Sequence, residues 1–228
     1  MTATGDLALL AGALGAHPAL VTDVGDPDGQ GRVRVRLPWS PDPGGSAYEA
    51  WARLATLMAG DGRGSWFVPD VDDEVLVVFE GGDPRRPYVV GALWNGVDTP
   101  PGTMDAAGAN QLKLLRSRSG VTVTFDDSDG RERLVLETPG GQTVVLEDGP
   151  AAVTVRDSAG NSARFDSAGV TVSSQAKVTV NANAVELTAG TLTVTAGMSR
   201  FSGAVQADTV ITNSVVSASY TPGAGNIW

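Results

Sequence analysis

A ladder of short alternating segments over residues 111–211 constrains the fold more than any other feature of this sequence. Within each segment apolar residues alternate with polar ones, as in Val121, Val123 and Phe125, which are separated by threonines. Glycines interrupt the ladder every nine to eleven residues between positions 120 and 169. Alternation over five or six residues is the period of a β-strand with one buried face. The pattern therefore predicts a repeat of strand and turn, without helices.

Such a ladder must close, because a single meander would leave the apolar face of every strand in water. Burial of one aliphatic side chain contributes roughly 1.5–3 kcal/mol, and this would be lost. The ladder can coil on itself or wind with copies of itself. The similarity recurs at each strand with no longer period, which favours a shaft of intertwined identical chains. The residues expected to point to its common axis are Val121, Val123, Phe125, Leu134, Leu136, Val144, Leu146, Val153, Val155, Phe165, Val170 and Val172.

Charge and cysteine content narrow the classes of function. The 228-residue chain has a formal net charge of −10 and no cysteine. Disulfides and thiolate metal sites are therefore excluded, and a negative chain is expected to repel nucleic acid. We expect no nucleic-acid partner and no cofactor.

Residues 20–103 form the second recognisable region. Five or six short strands are predicted here, and no helix of any length. A long alternating strand, residues 31–39, follows a turn at residues 26–29, and residues 73–80 read as an apolar central strand. This pattern predicts a small closed barrel such as an OB-fold. Residues 1–19 are expected to be a short helix or docking arm.

No set of residues in the chain indicates catalysis. The carboxylates of residues 126–130 stand at a turn between strands, where Asp, Ser and Gly serve the backbone. The glycine-rich residues 60–64 lack the Lys-Ser/Thr of a phosphate loop and predict a hairpin tip. His17 is the only histidine and has no candidate nucleophile near it in sequence. We therefore expect a protein that is not an enzyme and that holds no metal.

Several short motifs, taken together, resemble the baseplate spike proteins of contractile injection machines. These are the phage baseplate assembly protein V group and the matching part of the valine-glycine-repeat (VgrG) spikes of type VI secretion. The motifs occur in the family's order: residues 26–28 (DPD), 31–35 (GRVRV), 37–39 (LPW), 51–54 (WARL), 73–77 (DEVLV), 82–84 (GDP) and 91–96 (GALWNG). The resemblance covers residues 20–172 well and the remainder by composition.

The resemblance implies an all-β protein with an N-terminal OB-fold barrel, a trimeric intertwined β-helix and a short apex. The expected boundaries are residues 1–19 for an arm that docks on the hub, 20–103 for the barrel, 104–212 for the shaft and 213–228 for the apex. Some relatives bind iron through a His-x-His pair, which this chain lacks after His17. Others insert an enzyme domain between barrel and shaft, but the connection here, about residues 97–110, is too short to hold one.

The last nine residues differ from the preceding ladder, because aromatic residues flank a Pro/Gly turn. One interpretation is a floppy terminus. The other is an apex at which three copies meet or a separate, PAAR-like tip protein is seated. The candidate contacts in that case are Tyr220, Pro222, Asn226, Ile227 and Trp228.

The predicted function is that of a central spike of a contractile tail baseplate. The expected partners are two further copies of the chain, a separate hub protein at the barrel and the target cell envelope. We expect assembly in the cytoplasm into a phage tail or a tail-like particle. The alternative is an OB-fold module that binds oligosaccharide or single-stranded nucleic acid on a β-rich stalk. That alternative calls for basic and aromatic residues on one barrel face, whereas residues 1–103 carry twice as many acidic as basic side chains.

Overall fold

The computed structural model describes residues 15–41 and 47–219, and within these ranges the fold is all-β with no α-helix. The predicted all-β class is confirmed. The first seven strands are β1 (His17–Asp23), β2 (Val33–Pro41), β3 (Ala47–Leu54), β4 (Ala59–Gly60), β5 (Arg63–Gly64), β6 (Glu74–Phe79) and β7 (Pro87–Ala92), with one 3-10 turn at Glu80–Gly82. The next seven are β8 (Leu112–Arg116), β9 (Thr122–Asp126), β10 (Arg133–Glu137), β11 (Thr143–Asp148), β12 (Ala151–Arg156), β13 (Ser162–Asp166) and β14 (Gly169–Ser173).

The first domain is a closed five-stranded barrel in the order β1-β2-β3-β7-β6, which confirms the predicted OB-like barrel. Every second residue of β2 points inwards, so its valines and leucine are buried while its arginines face outwards. The barrel begins at His17, three residues before the expected boundary at residue 20. The fully buried large side chains of this core are Val21, Val33, Val35, Leu37, Val75, Val77 and Pro87.

The turn between β1 and β2 is organised by the carboxylate of Asp26. Its oxygens accept backbone N–H groups from Asp28 at 3.1 Å, Gln30 at 2.8 Å and Arg32 at 3.1 Å. The Arg32 guanidinium also donates to it, at 2.7 Å from Nη2. This pairing, followed by the backbone donors, lowers the pKa of Asp26 well below its ordinary value, despite partial burial. The motif at residues 26–32 therefore has a local structural role, which is to shape this turn.

Strands β8 to β14 form one antiparallel seven-stranded meander in sequence order. Each strand pairs with the next one along the chain, and glycines with positive φ, such as Gly141 and Gly160, occupy the connecting turns. The carboxylate of Asp157 shapes the turn before β13: it accepts the Asn161 side-chain amide at 2.7 Å and the Asn161 backbone N–H at 2.8 Å. Glycine and short polar side chains thus set the strand spacing that is visible in the sequence.

Residues 177–219 belong to a second unit, which contains no strand within the described residues. Its backbone bends at regular intervals. The bends come every seven residues, at Asn183, Gly190 and Gly197, and later every five residues, at Gly203, Asp208, Asn213 and Ala218. This segment therefore has a repeat of its own, contrary to the expectation of a single strand-by-strand period.

Candidate functional site

The residues expected to form the shaft core lie on one face of the seven-stranded sheet. Leu134 of β10 stands opposite Phe125 of β9 and opposite Leu146 of β11. Val153 of β12 continues the row from Leu146 to Phe165 of β13. A second row runs through Val123, Leu136, Val144, Val155, Ala163 and Val172, while Val170 stands opposite Phe165 and Val121 directly precedes β9. We call this surface the apolar face.

The apolar face is open in the single chain. Phe125 and Phe165 are each 47% exposed, and Val170 on the last strand is 65% exposed. Exposed contiguous apolar surfaces of this extent mark interaction sites on proteins. The face therefore has the character of an interface, and its role as an assembly core remains a prediction.

The sequence interpretation missed part of the apolar face on β8. Leu115 stands opposite Val123, and Lys113 stands opposite Phe125, so both belong to this face. Lys113 Nζ pairs with Asp127 Oδ2 at 3.0 Å. The ion pair gives this end of the face a polar margin.

The opposite face of the same sheet is charged, and ion pairs connect its charges both between strands and along β13. Arg133 of β10 contacts Asp126 of β9, with Nε and Nη2 both 3.0 Å from Oδ2. Arg164 of β13 reaches Asp166 Oδ2 at 2.8 Å and Glu147 Oε1 at 3.5 Å. Opposite charges on neighbouring strands stabilise a sheet by a few tenths of a kcal/mol to about 1 kcal/mol per pair. We call this surface the charged face.

Asp126 is the one charged or polar residue classed as buried within the described ranges, at 7% exposure. The Ser128 hydroxyl and backbone N–H hold its pKa below the ordinary value, and Arg133 adds to the effect. Its partners are thus those of a turn and a strand pair. In the part of the chain that the structure describes, no group of three or more acidic or histidine side chains is placed to hold a metal ion.

Residues 177–219 repeat the apolar pattern at the spacing of their bends. The positions that recur every seven residues are Val178, Val185 and Leu192, and Val180, Leu187, Val194 and Phe201; those that recur every five are Val205, Val210 and Val215. Val210 and Val215 are 72% and 68% exposed, whereas the next residues, Ile211 and Val216, are 95% and 100% exposed. The repeating valines therefore face a different side of the chain from their apolar neighbours.

The candidate tip contacts, Tyr220 to Trp228, lie outside the described residues. No helix among the described residues is long and apolar enough to cross a membrane.

Two family models match the chain in the regions where these domains lie. Residues 17–94 match the type VI secretion system/phage-baseplate injector OB domain, which coincides with the closed barrel. Residues 133–196 match the phage baseplate V C-terminal trimerisation domain, which covers β10 to β14 and the start of the second unit. The chain thus matches two domain models of phage-baseplate injector proteins, one in the barrel and one in the sheet. The match to a trimerisation domain supports a homotrimer.

Similar curated proteins carry the name VgrG, and most of them are spike proteins of type VI secretion. VgrG1b of Pseudomonas aeruginosa is 30% identical over 128 residues, which are 53% of this chain and 17% of that protein. VgrG4b of the same organism is 34% identical over 141 residues, 58% of this chain and 16% of that protein. The actin cross-linking toxin VgrG1 of Vibrio cholerae is 28% identical over 130 residues, 52% of this chain and 12% of that protein. The chain thus spans a fifth or less of the length of these relatives.

Proposed function

We propose that this protein is the non-enzymatic central spike of a contractile injection machine. Three copies assemble through their apolar faces into a shaft, with the charged faces towards solvent. The apolar face is the observation that carries this proposal. It runs across seven strands, about 28 Å at roughly 4.7 Å per strand, and it is left unpartnered while the reverse side of the same sheet is satisfied by ion pairs.

In our proposal, residues 177–219 also bury their apolar side chains against other copies of the chain. An isolated extended chain with one apolar side is unstable in water, so this segment needs copies of itself to bury its repeating valines. Three intertwined chains bending at the corners of a prism form the β-helix. The bends at fixed intervals support this geometry, because each chain must turn a corner after each pass across a face.

The remaining parts of the proposal concern partners. The barrel binds a hub protein, the shaft crosses the target envelope, and the C-terminal residues form an apex or seat a tip protein. The names of the similar proteins, spike proteins of type VI secretion, support the spike role on which these partners depend. The particle is a phage tail or a tail-like injection machine assembled in the cytoplasm.

The mass of the purified protein tests the assembly. Light scattering at micromolar concentration should give three times the 23.3 kDa mass of one chain. A stable folded monomer would contradict both the shaft and the function. Function is tested in particles that lack the protein: the wild-type chain should restore delivery into target cells, and a variant that cannot form the trimer should not.

A further inference from the structure

A short hairpin between two barrel strands carries four large apolar side chains that are each more than half exposed, although the Trp66 ring lies against Gly31. We call residues 55–69, between β3 and β6, the arm; it is a different segment from the docking arm expected at residues 1–19. Strands β4 and β5 pair within it. Leu57 is 97% exposed, Trp66 76%, Phe67 75% and Met58 55%. Such a cluster on so small an element is more apolar surface than the arm needs to fold, and neither the barrel core nor the apolar face of the sheet accounts for it.

Hydrogen bonds join the start of the arm to the barrel and connect its two strands to each other. The Ala55 backbone N–H donates to Val89 O of β7 at 2.8 Å, which ties the start of the arm to the barrel. Within the arm, the Ser65 N–H donates to Met58 O at 2.9 Å, and the Thr56 hydroxyl donates to Ser65 O at 2.7 Å. A preformed arm loses little conformational freedom when a surface covers it.

One ion pair connects the end of the arm with the seven-stranded sheet. Arg118, in the turn between β8 and β9, contacts Asp70 at 2.6 Å, and Asp70 directly follows the arm. The end of the arm therefore lies beside the turn between β8 and β9, at one edge of the sheet that is expected to join the copies. The family model that matches this sheet is a trimerisation domain, so another copy is the partner expected beside the arm.

The other copy offers an apolar surface of the matching kind. The connection between barrel and sheet carries Trp94, Val97 and Met104, which are 69%, 89% and 99% exposed. Two aromatic and two aliphatic side chains on the arm bury a few hundred Å² at most. This is below the roughly 800 Å² per partner of an independent stable interface, so the arm fits an additional contact within an assembly that the sheet already holds.

We propose that the arm of each copy docks on the connection between barrel and sheet of a neighbouring copy, with Leu57 and Phe67 against its exposed apolar side chains. The contact joins the barrels of the trimer to one another, separately from the shaft. This inference rests on the trimer of the proposed function. It adds an inter-chain surface in the barrel half of the molecule.

Photo-crosslinking tests this contact in the full-length protein. Benzoylphenylalanine replaces Leu57 in one sample and Arg85, in an exposed polar turn, in the control. Irradiation of the purified protein should join chains into covalent dimers and trimers from position 57 and not from position 85. Mass spectrometry should place the new bond within residues 93–105 of the other chain. Light scattering of the same samples shows separately whether the trimer has formed.

Two results would overturn the docking of the arm. A trimer by mass that yields no inter-chain product from position 57 shows that the arm points away from the other copies. Crosslinks that form only after a baseplate hub protein is added assign the arm to that partner instead. A monomer by mass refutes the trimer itself. As a second measurement, Leu57→Ser with Phe67→Ser should leave the trimer intact and raise chymotrypsin cleavage after Trp94 at least tenfold, and Asp61→Ser should leave cleavage unchanged.

Discussion

Val155 offers the sharpest test of which sheet face is buried in the assembly. It lies on the apolar face opposite Val144 and Ala163, and it remains 45% exposed in the single chain. Its sequence neighbour Thr154 lies on the charged face, where its hydroxyl accepts a hydrogen bond from Arg164 Nη1 at 3.3 Å. Val155→Asp and Thr154→Asp therefore add the same charge one residue apart, on opposite faces.

The free-energy cost of Val155→Asp can be worked out from the pKa of an ordinary carboxyl group. An aspartate with a pKa of about 3.9 must take up a proton to enter a dry layer at pH 7, which costs about 4 kcal/mol. Loss of the part of the valine that assembly would bury adds about 1 kcal/mol. Three copies fall in one layer, so the trimer should lose about 15 kcal/mol, as much as the whole stability of a typical domain.

Thr154→Asp should cost far less, because the new carboxylate stays in solvent beside the Arg164 guanidinium. Surface substitutions of this kind usually change the free energy of unfolding by no more than about 0.5 kcal/mol. Light scattering at pH 7 should therefore find a trimer for Thr154→Asp, and monomer or aggregate for Val155→Asp.

The pH dependence adds a second readout. Burial raises the pKa of the introduced carboxyl in the trimer, so the penalty is present above the ordinary Asp value and shrinks as the pH falls towards 4. Acidification should partly restore the Val155→Asp trimer. If both variants form trimers of equal stability, or both fail equally, the assignment of the buried face is wrong.

Three further predictions concern other parts of the chain. Asp26→Asn should lower the barrel's stability to urea at pH 7, and the difference from wild type should shrink in acid. Hydrogen bonds depress the pKa of this carboxyl, so its contribution to stability is present above the ordinary Asp pKa and is lost as the pH falls through the depressed pKa. An unchanged urea midpoint at pH 7 would contradict this role. In the five-residue repeat, Val215→Asp should prevent the C-terminal part of the shaft from resisting protease, whereas Val216→Asp should not; equal digestion of both would refute the assigned sides. Deletion of Ile227 and Trp228 should leave the trimer assembled but abolish tip-partner binding or puncture, and normal penetration by truncated particles would show that the segment is only a tail.

The sequence by itself determined the strands and the side-chain phase of the ladder as far as residue 173, whereas the strands expected from there to residue 211 are absent from the described residues. Alternation alone identifies Phe125, Leu134, Leu146, Val153 and Phe165, and in the structure these residues are successive cross-strand partners. This works because the side-chain period of a strand is two, and consecutive strands joined by short turns pair with one another. The all-β class and the closed barrel followed in the same way from local signals, with the family resemblance in support.

Only the tertiary structure decided the features that depend on distant pairing. Leu114 and Leu115 are both apolar, so alternation cannot assign a face; the pairing of Leu115 with Val123, and of Leu114 with Thr124, settles it. The barrel closes where β3 pairs in parallel with β7, and the arm leaves at that point, exposing Leu57. Strand order and exposure are set by contacts between residues far apart in the chain, and a local periodicity carries no information about those contacts.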